Sequence, residues 1–455
     1  MKAALTTIAA FAALAASAQV HAQEADARLS ALAESYHSYR IEQSGRIEQP
    51  DGSTEAGDRL WSVTPEAHAA RAEKAKAWLA QLDTIGEDQL TAAGKIDAAV
   101  LRHLLETEIG DAQFREWEMP FDSDNNFWSY LAGRSAFDSA EDYRRYIARM
   151  RDIPRYFNEQ TVNARAGLAR GFSVPRVTLA GRDASLAAYV VGDPEESPFW
   201  VPFRTIDSTR IDPDQIAALK AEGRAAIVES VTPAYRDLLD FFQNEYVPQT
   251  RETLGASKFP DGEAYYRQQI REYTTLDLSA EEIHQIGLGE VARITAEMEQ
   301  VKAQAGFTGT LPEFVQFLRT DPQFVARTPD ELMGVSSYVA KRVDGRLKDY
   351  FGFLPRYRFA IREVDPAIAP FYTAGRGGLE YCQMNTYNLP ARPLYNIPAL
   401  TLHECAPGHS FQAAIALEQP EVPRFRRQVY FSGFGEGWGL YVEYLGQEMG
   451  IYRTP

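Results

Sequence analysis

Apolar residues recur at three- and four-residue intervals along most of the chain, a period that predicts a mainly α-helical protein. Segments 25–41, 65–82, 90–109, 140–157, 215–249, 280–305, 329–350 and 429–449 all carry it. Pro233 interrupts the fifth, because proline lacks a backbone donor and its ring collides with the preceding turn. The sixth has its own start and stop signals. Ser279 is a good N-cap with Glu282 at the capping-box position, and Gly306 follows as a stop. The alternation expected of strands is weak, at 358–364 and at 379–385 after a glycine-rich turn at 375–378.

Candidate chemistry is concentrated near the end of the chain. Two of the seven histidines, His403 and His409, lie close together, and Glu404 sits beside the first. Two imidazoles and a carboxylate can hold one zinc ion, and a neighbouring glutamate can handle the proton of its water. The common zinc motif spaces its histidines four residues apart, on one helix face. Six residues leave the second side chain about 120° away on a regular helix. Pro407 and Gly408 offer the remedy: the proline ring would clash with the carbonyl of His403, and glycine accepts almost any backbone geometry. A local unwinding over 405–408 is therefore expected to bring His409 back to the His403 face.

The third ligand is expected from the segment Phe434-Gly435-Glu436-Gly437-Trp438-Gly439-Leu440-Tyr441-Val442-Glu443. Glu436, Leu440 and Glu443 fall on one helical face. Glu436 is assigned to the metal and Glu443 to orienting a ligand histidine. The glycines at 433, 435, 437 and 439 suggest close approach to another backbone. His284, on an apolar-spaced helix, reads as a packed, hydrogen-bonded histidine rather than a ligand. No G-x-S-x-G elbow is present.

These residues, H-E-x-x-P-G-H followed by E-G-W-x-L-Y-x-E, resemble the bacterial domain-of-unknown-function 885 family, itself similar to helical gluzincin-type zinc metallopeptidases. Blocks at 278–294, 309–314 and 318–322 agree, and the likeness is strongest from about residue 260 onward. The resemblance implies a large helical metallopeptidase-like body with a β-hairpin or edge strand beside the zinc helix. It implies His403, His409 and Glu436 as ligands to one zinc ion and Glu404 as general base. The strand at 379–385 is the candidate for holding substrate backbone, with Tyr381, Gln383 and Asn385 as substrate-binding candidates and an ordinary hairpin as the other reading. Tyr372 and Arg376 are further candidates, for an oxyanion or a peptide carboxylate. Family members continue well past the E-G-W helix, whereas this chain stops at Tyr452-Arg453-Thr454-Pro455, so part of the cleft is expected to be missing.

Composition adds a compartment. Residues 1–22 read as a secretory signal, with Lys2, an alanine-rich apolar run and Val20-His21-Ala22 at the cleavage site. No later run is long enough to span a membrane. The remainder divides into an N-terminal helical region, 23–260, and a zinc-site helical region, 261–455. A net charge of −16 argues against nucleic acid and anionic membranes as partners. Cys382 and Cys405 can pair in an oxidising compartment or remain buried thiols. The expectation is a secreted, periplasmic zinc peptidase acting on peptides through a zinc-activated water. A non-catalytic peptide-binding protein that keeps the fold, or a zinc amidase on non-peptide amides, are the alternatives.

Overall fold

Each periodic segment folds as helix, and capping accounts for several of the starts. The Thr64 hydroxyl accepts from Ala67 N ahead of helix Pro65–Asp83, and Thr91 accepts from Gly94 N ahead of Ala92–Phe114. Reciprocal capping boxes, Ser139 with Asp142 and Ser279 with Glu282, open Ala140–Ala169 and Ala280–Gln304. Gly306 adopts a left-handed φ of +74° just after the latter helix ends. The protein is mainly α, with 65% of residues helical and 4% in strands. The structure is a computed structural model describing residues 2–50, 52–121, 126–133, 137–366, 368–419, 422–427 and 429–455, with side chains from residue 21 onward. The side chains of the expected leader therefore lie almost wholly outside the described residues.

Pro233 does not break its helix. The helix Pro213–Ala226 passes through a π-helical turn, Ile227–Val231, before Thr232–Phe241. A second π turn, Phe242–Tyr246, precedes Pro248. Each widened turn lies just N-terminal to a proline, where the missing donor and the ring clash would otherwise disrupt the ladder.

The chain forms two units. The first comprises Met1–Gly262 with Glu421–Val429. Its larger core is unusually aromatic, built around Phe121, Trp128, Tyr146, Tyr156, Phe199 and Tyr235. The polar ends of these rings are satisfied inside: Tyr235 donates to Trp128 O at 2.7 Å, and Trp128 Nε1 donates to Ser185 at 3.2 Å. This unit also contains a short antiparallel hairpin, β1 (Arg46–Glu48) with β2 (Thr54–Ala56).

The second unit comprises Glu263–Pro420 with Tyr430–Pro455. Its centre is the short helix Ile397–Glu404, which is buried on several sides. Leu402 packs with Val339, Val343, Phe411 and Leu445. Ile397, Leu400 and Cys405 pack with Leu332, Cys382 and Met384. A buried hydroxyl pair, Ser336 with Thr401 at 3.0 Å, fixes its rotation against helix Pro329–Asp344.

A three-stranded sheet flanks this helix: β3 (Ala360–Glu363), β4 (Gly375–Gly377) and β5 (Tyr381–Met384), in the order β3-β5-β4. β3 runs parallel to β5 and β4 antiparallel to it. Two sequence expectations are corrected here. The segment 379–385 is the central strand, paired on both sides, so it has no free edge for a peptide. The glycine-rich stretch expected as a turn is itself the edge strand, β4.

A third correction concerns the helix Ala280–Gln304. Its period is real, yet none of its residues is buried. Ile286, Leu288, Val291 and Ile294 are exposed, and so is His284, which is not packed as expected.

Candidate metal centre

Helix Ile397–Glu404 ends at the Glu404 carboxylate, and a new helix, His409–Glu418, begins at the second histidine. The chain between them turns sharply at Cys405, with ψ of −100°, and passes through a cis Ala406–Pro407 peptide. The expected local unwinding is thus a full break: the two histidines end one helix and start the next. Gly408 is obligatory, since a Cβ there would lie 1.8 Å from His403 O. Trp438 Nε1 donates to Pro407 O at 2.8 Å and ties the turn to helix Ser432–Glu448.

The break brings the histidine rings edge to face, with centroids 4.8 Å apart. Glu436 Oε2 lies 3.3 Å from His403 Nε2 and 3.6 Å from His409 Nε2. One atom from each of the three residues falls within 4.8 Å of the others. Zinc bonds of about 2.0–2.1 Å in a tetrahedron place neighbouring ligand atoms about 3.3–3.4 Å apart, so the donor set fits a single zinc ion. Glu443 Oε1 takes the hydrogen bond of His403 Nδ1 at 2.7 Å, which directs the Nε2 lone pair toward the shared point. Among the described residues His409 Nδ1 is buried without a hydrogen-bond partner, so this ring has no counterpart to the Glu443 bond of His403.

The face of the Glu436 helix differs from the expected one. Leu440 is 64% exposed and takes no part. The space between Glu436 and Glu443 belongs to Gly439, where an added Cβ would lie 2.4 Å from His403 Cε1. The imidazole therefore rests on the bare backbone of Gly439, with one carboxylate on each side.

Glu404 points to β4. Gly377 N–H donates to Glu404 Oε2 at 2.6 Å, and Gly377 also needs to be glycine, because a Cβ there would meet Glu404 O at 2.0 Å. Burial raises the Glu404 carboxyl above the usual carboxylate range, against the Gly377 N–H and the two histidines, which favour its anion. For His403, the Glu443 hydrogen bond outweighs burial and raises its pKa. Burial works to raise Glu436, but the Tyr430 hydroxyl and both histidines outweigh it and leave the carboxyl below its ordinary value.

Tyr430 was not singled out in the sequence. Its hydroxyl donates to Glu436 Oε1 at 2.5 Å, and its ring centroid is 6.1 Å from that of His409. Burial, followed by the Glu436 bond, raises its pKa well above 10. One signal was available: Tyr430 stands six residues before Glu436, at the entry to the same helix.

The five substrate-binding candidates separate. Asn385 is 1% exposed, and its amide donates to Ala369 O, Tyr372 O and Thr373 O while its oxygen accepts from Tyr387 N. It holds a loop and is not available to substrate, which corrects that expectation. Tyr381 and Gln383 alternate with Cys382 and Met384, which face the His403 helix, so they point to the opposite face of the sheet and away from Glu404. Tyr372 is buried beneath the Arg376 guanidinium, 5.1 Å from its ring. Arg376 pairs with Gln383 and its side chain leaves from that same far face, but its backbone runs between Gly375 and Gly377, which both back onto Glu404, and its charge reaches Tyr430.

Cys382 and Cys405 are joined as a disulfide, with Cα atoms 5.2 Å apart, tying β5 to the end of the His403 helix. The bridge closes a loop of 23 residues by sequence separation, which corresponds to about 3 kcal/mol in the chain-entropy account. Replacing both cysteines by serine is expected to lower stability by about that amount in denaturant titrations. An unchanged midpoint would show that the bridge contributes nothing to the fold.

The family described as bacterial protein of unknown function (DUF885) matches residues 50–455. No match was found among curated proteins. Among solved structures, the chain resembles "the putative lipoprotein from Colwellia psychrerythraea", with a TM-score of 0.79 and 21% identity, over 95% of this chain and 79% of that one. At that identity the likeness establishes the fold alone. Among the described residues, no helix is long and apolar enough to cross a membrane.

Proposed function

This chain belongs to the DUF885 family of bacterial proteins of unknown function, and from that premise we propose that it is a secreted zinc-dependent peptidase related in chemistry to the gluzincins. The observation that carries the reading is the convergence of His403 Nε2, His409 Nε2 and Glu436 Oε2, with the half-buried Glu404 carboxyl beside them.

His403, His409 and Glu436 would hold the metal, and Glu443 keeps His403 in the tautomer that leaves Nε2 free. When bound, zinc supplies a Lewis acid and an acidified water. Glu404 takes the proton of the attacking water and passes it to the leaving amine, so one carboxyl serves as base and then as acid. Gly377 N–H anchors one of its oxygens and leaves the other for proton transfer. Tyr430 is positioned to donate to the developing oxyanion once it leaves Glu436.

β4 supports a peptide substrate. Asn385 N donates to Ala374 O, so alternation along the antiparallel pair turns the backbone groups of Gly375 and Gly377 away from β5. Gly377 N–H is taken by Glu404, so a peptide laid along that edge would pair with the Gly375 N–H and C=O and run on beside Glu404. Export is supported by the leader-like residues 1–22 and by the Cys382–Cys405 bridge, which persists in oxidising compartments.

The test is a screen of mixed-sequence peptides with the purified chain. Cleavage that stops with a chelator and returns when zinc is restored is the expected result. Cleavage indifferent to chelation, or none with zinc supplied, contradicts the proposal.

A further inference from the structure

The sheet beside the metal centre carries a second feature on the face turned away from the His403 helix. Arg362 on β3 pairs in register with Gln383 on β5, and Gln383 pairs with Arg376 on β4. Residues paired across strands share a face, so the three side chains form one row, Arg–Gln–Arg. Strands about 4.8 Å apart place the two arginine Cα atoms about 10 Å from each other. Two like charges on one face of a short sheet repel, and a chain with 63 acidic residues against 47 basic ones has carboxylates to spare. Yet among the described residues neither Arg362 nor Arg376 forms an ion pair.

Both guanidinium groups lie over tyrosine rings instead. Arg362 sits 3.8 Å from the Tyr381 ring centroid and Arg376 5.1 Å from that of Tyr372. A guanidinium held over a ring spends none of its N–H donors on a carboxylate there, and its fork can receive one through two parallel hydrogen bonds. Gln383 between them adds an amide donor.

The location gives the row a purpose. Gly375 and Gly377, either side of Arg376, touch Glu404, and Arg376 is near enough to Tyr430 for its charge to favour the phenolate. We propose that Arg376, backed by Gln383 and Arg362, binds a carboxylate of a substrate whose chain passes the β4 edge from Glu404 to the far face of the sheet. The site then selects peptides with a free C-terminus, or an acidic side chain, a short distance along the chain from the scissile bond. The inference rests on the peptidase reading for its substrate, although binding tests it without turnover.

Four versions of one short peptide separate the sources of the carboxylate: free or amidated C-terminus, each with Glu or Gln at the penultimate position. Their affinities are measured by fluorescence anisotropy on the zinc-loaded Glu404→Gln chain, and their hydrolysis on the unaltered chain. Peptides with the recognised carboxylate are expected to bind about tenfold or more tightly than those without it. Arg376→Gln removes most of that ratio, and Arg376→Lys restores part of it, since a lysine keeps the charge and loses the fork. Preference for the free terminus identifies the C-terminal carboxylate, and preference for Glu under either terminus identifies a side chain. Equal affinity for all four peptides, no binding of any, or a ratio that survives Arg376→Gln overturns the proposal. Selective binding without any hydrolysis leaves the carboxylate site standing and removes the peptidase reading.

Discussion

Replacing Glu404 by glutamine is expected to lower peptide turnover by about 10²- to 10⁴-fold while zinc content stays at the wild-type level. The amide has the same shape, and its oxygen can still accept from Gly377 N–H, so the fold around β4 is retained. What disappears is a group that can take a proton and give it back. Glu404 is not among the three residues whose donor atoms converge, so the metal is held as before. Steady-state kinetics and elemental analysis of the same preparation check both halves. Loss of zinc with loss of activity would assign Glu404 to the ligand shell, and full activity would remove it from the chemistry.

The second large effect comes from a residue with no functional group. Gly439→Ala would place a Cβ 2.4 Å from His403 Cε1 and 2.7 Å from both ring nitrogens. These distances are too short for any packed carbon, so the imidazole has to move. Its movement breaks the 2.7 Å bond to Glu443 and carries Nε2 away from Glu436. Zinc affinity is expected to fall by about 10- to 100-fold, the scale of losses when a ligand's supporting partner is removed. Gly437→Ala is the control. Nothing lies within 4 Å of the added carbon, and alanine in a helix is favoured by up to about 1 kcal/mol over glycine. That variant should bind zinc normally and melt no earlier. Competition titrations with a zinc chelator and thermal melts distinguish the two. Equal zinc affinity for both variants would show that the His403 ring does not depend on Gly439.

The two variants also mark where the sequence stops being informative. Helical spacing alone makes Glu443 a partner for a histidine, and it meets His403 Nδ1. Leu440 was placed on the same face by the same arithmetic, and it is exposed. Spacing along one helix says which residues share a stripe. It does not say where along that stripe the neighbouring helix approaches, and here the approach is at Gly439. The glycines signal close packing in the sequence, but only the position of the facing helix decides that Gly439 seats the imidazole.

The break between the histidines was legible in kind and underestimated in degree. Pro407 and Gly408 forbid a continuous helix on steric grounds, which the sequence states directly. That the chain restarts as a new helix at His409, fastened by Trp438 to Pro407 O, depends on a contact 31 residues away. Strands form where the alternation predicts them, β3 within 358–364 and β5 within 379–385, but their order in the sheet depends on contacts of the same distant kind. Gly375-Arg376-Gly377 has the composition of a turn, and only pairing with Met384, Gln383 and Cys382 makes it a strand. Once it is the edge, the neighbouring segment becomes central, and Tyr381, Gln383 and Asn385 no longer offer a free strand edge to substrate backbone. Helix Ala280–Gln304 shows the limit of periodicity itself. Its pattern reports an amphipathic helix, and it carries no information on whether anything covers the apolar face.

The proposed chemistry requires His403, His409 and Glu436 to hold one metal ion. The most direct test is the zinc content of the purified, undialysed chain by elemental mass spectrometry, repeated on His403→Ala and His409→Ala. The account predicts about one zinc per chain in the wild type and none retained in either variant. A wild-type chain that takes up no zinc when zinc is offered, or variants that hold it as tightly, would contradict the site.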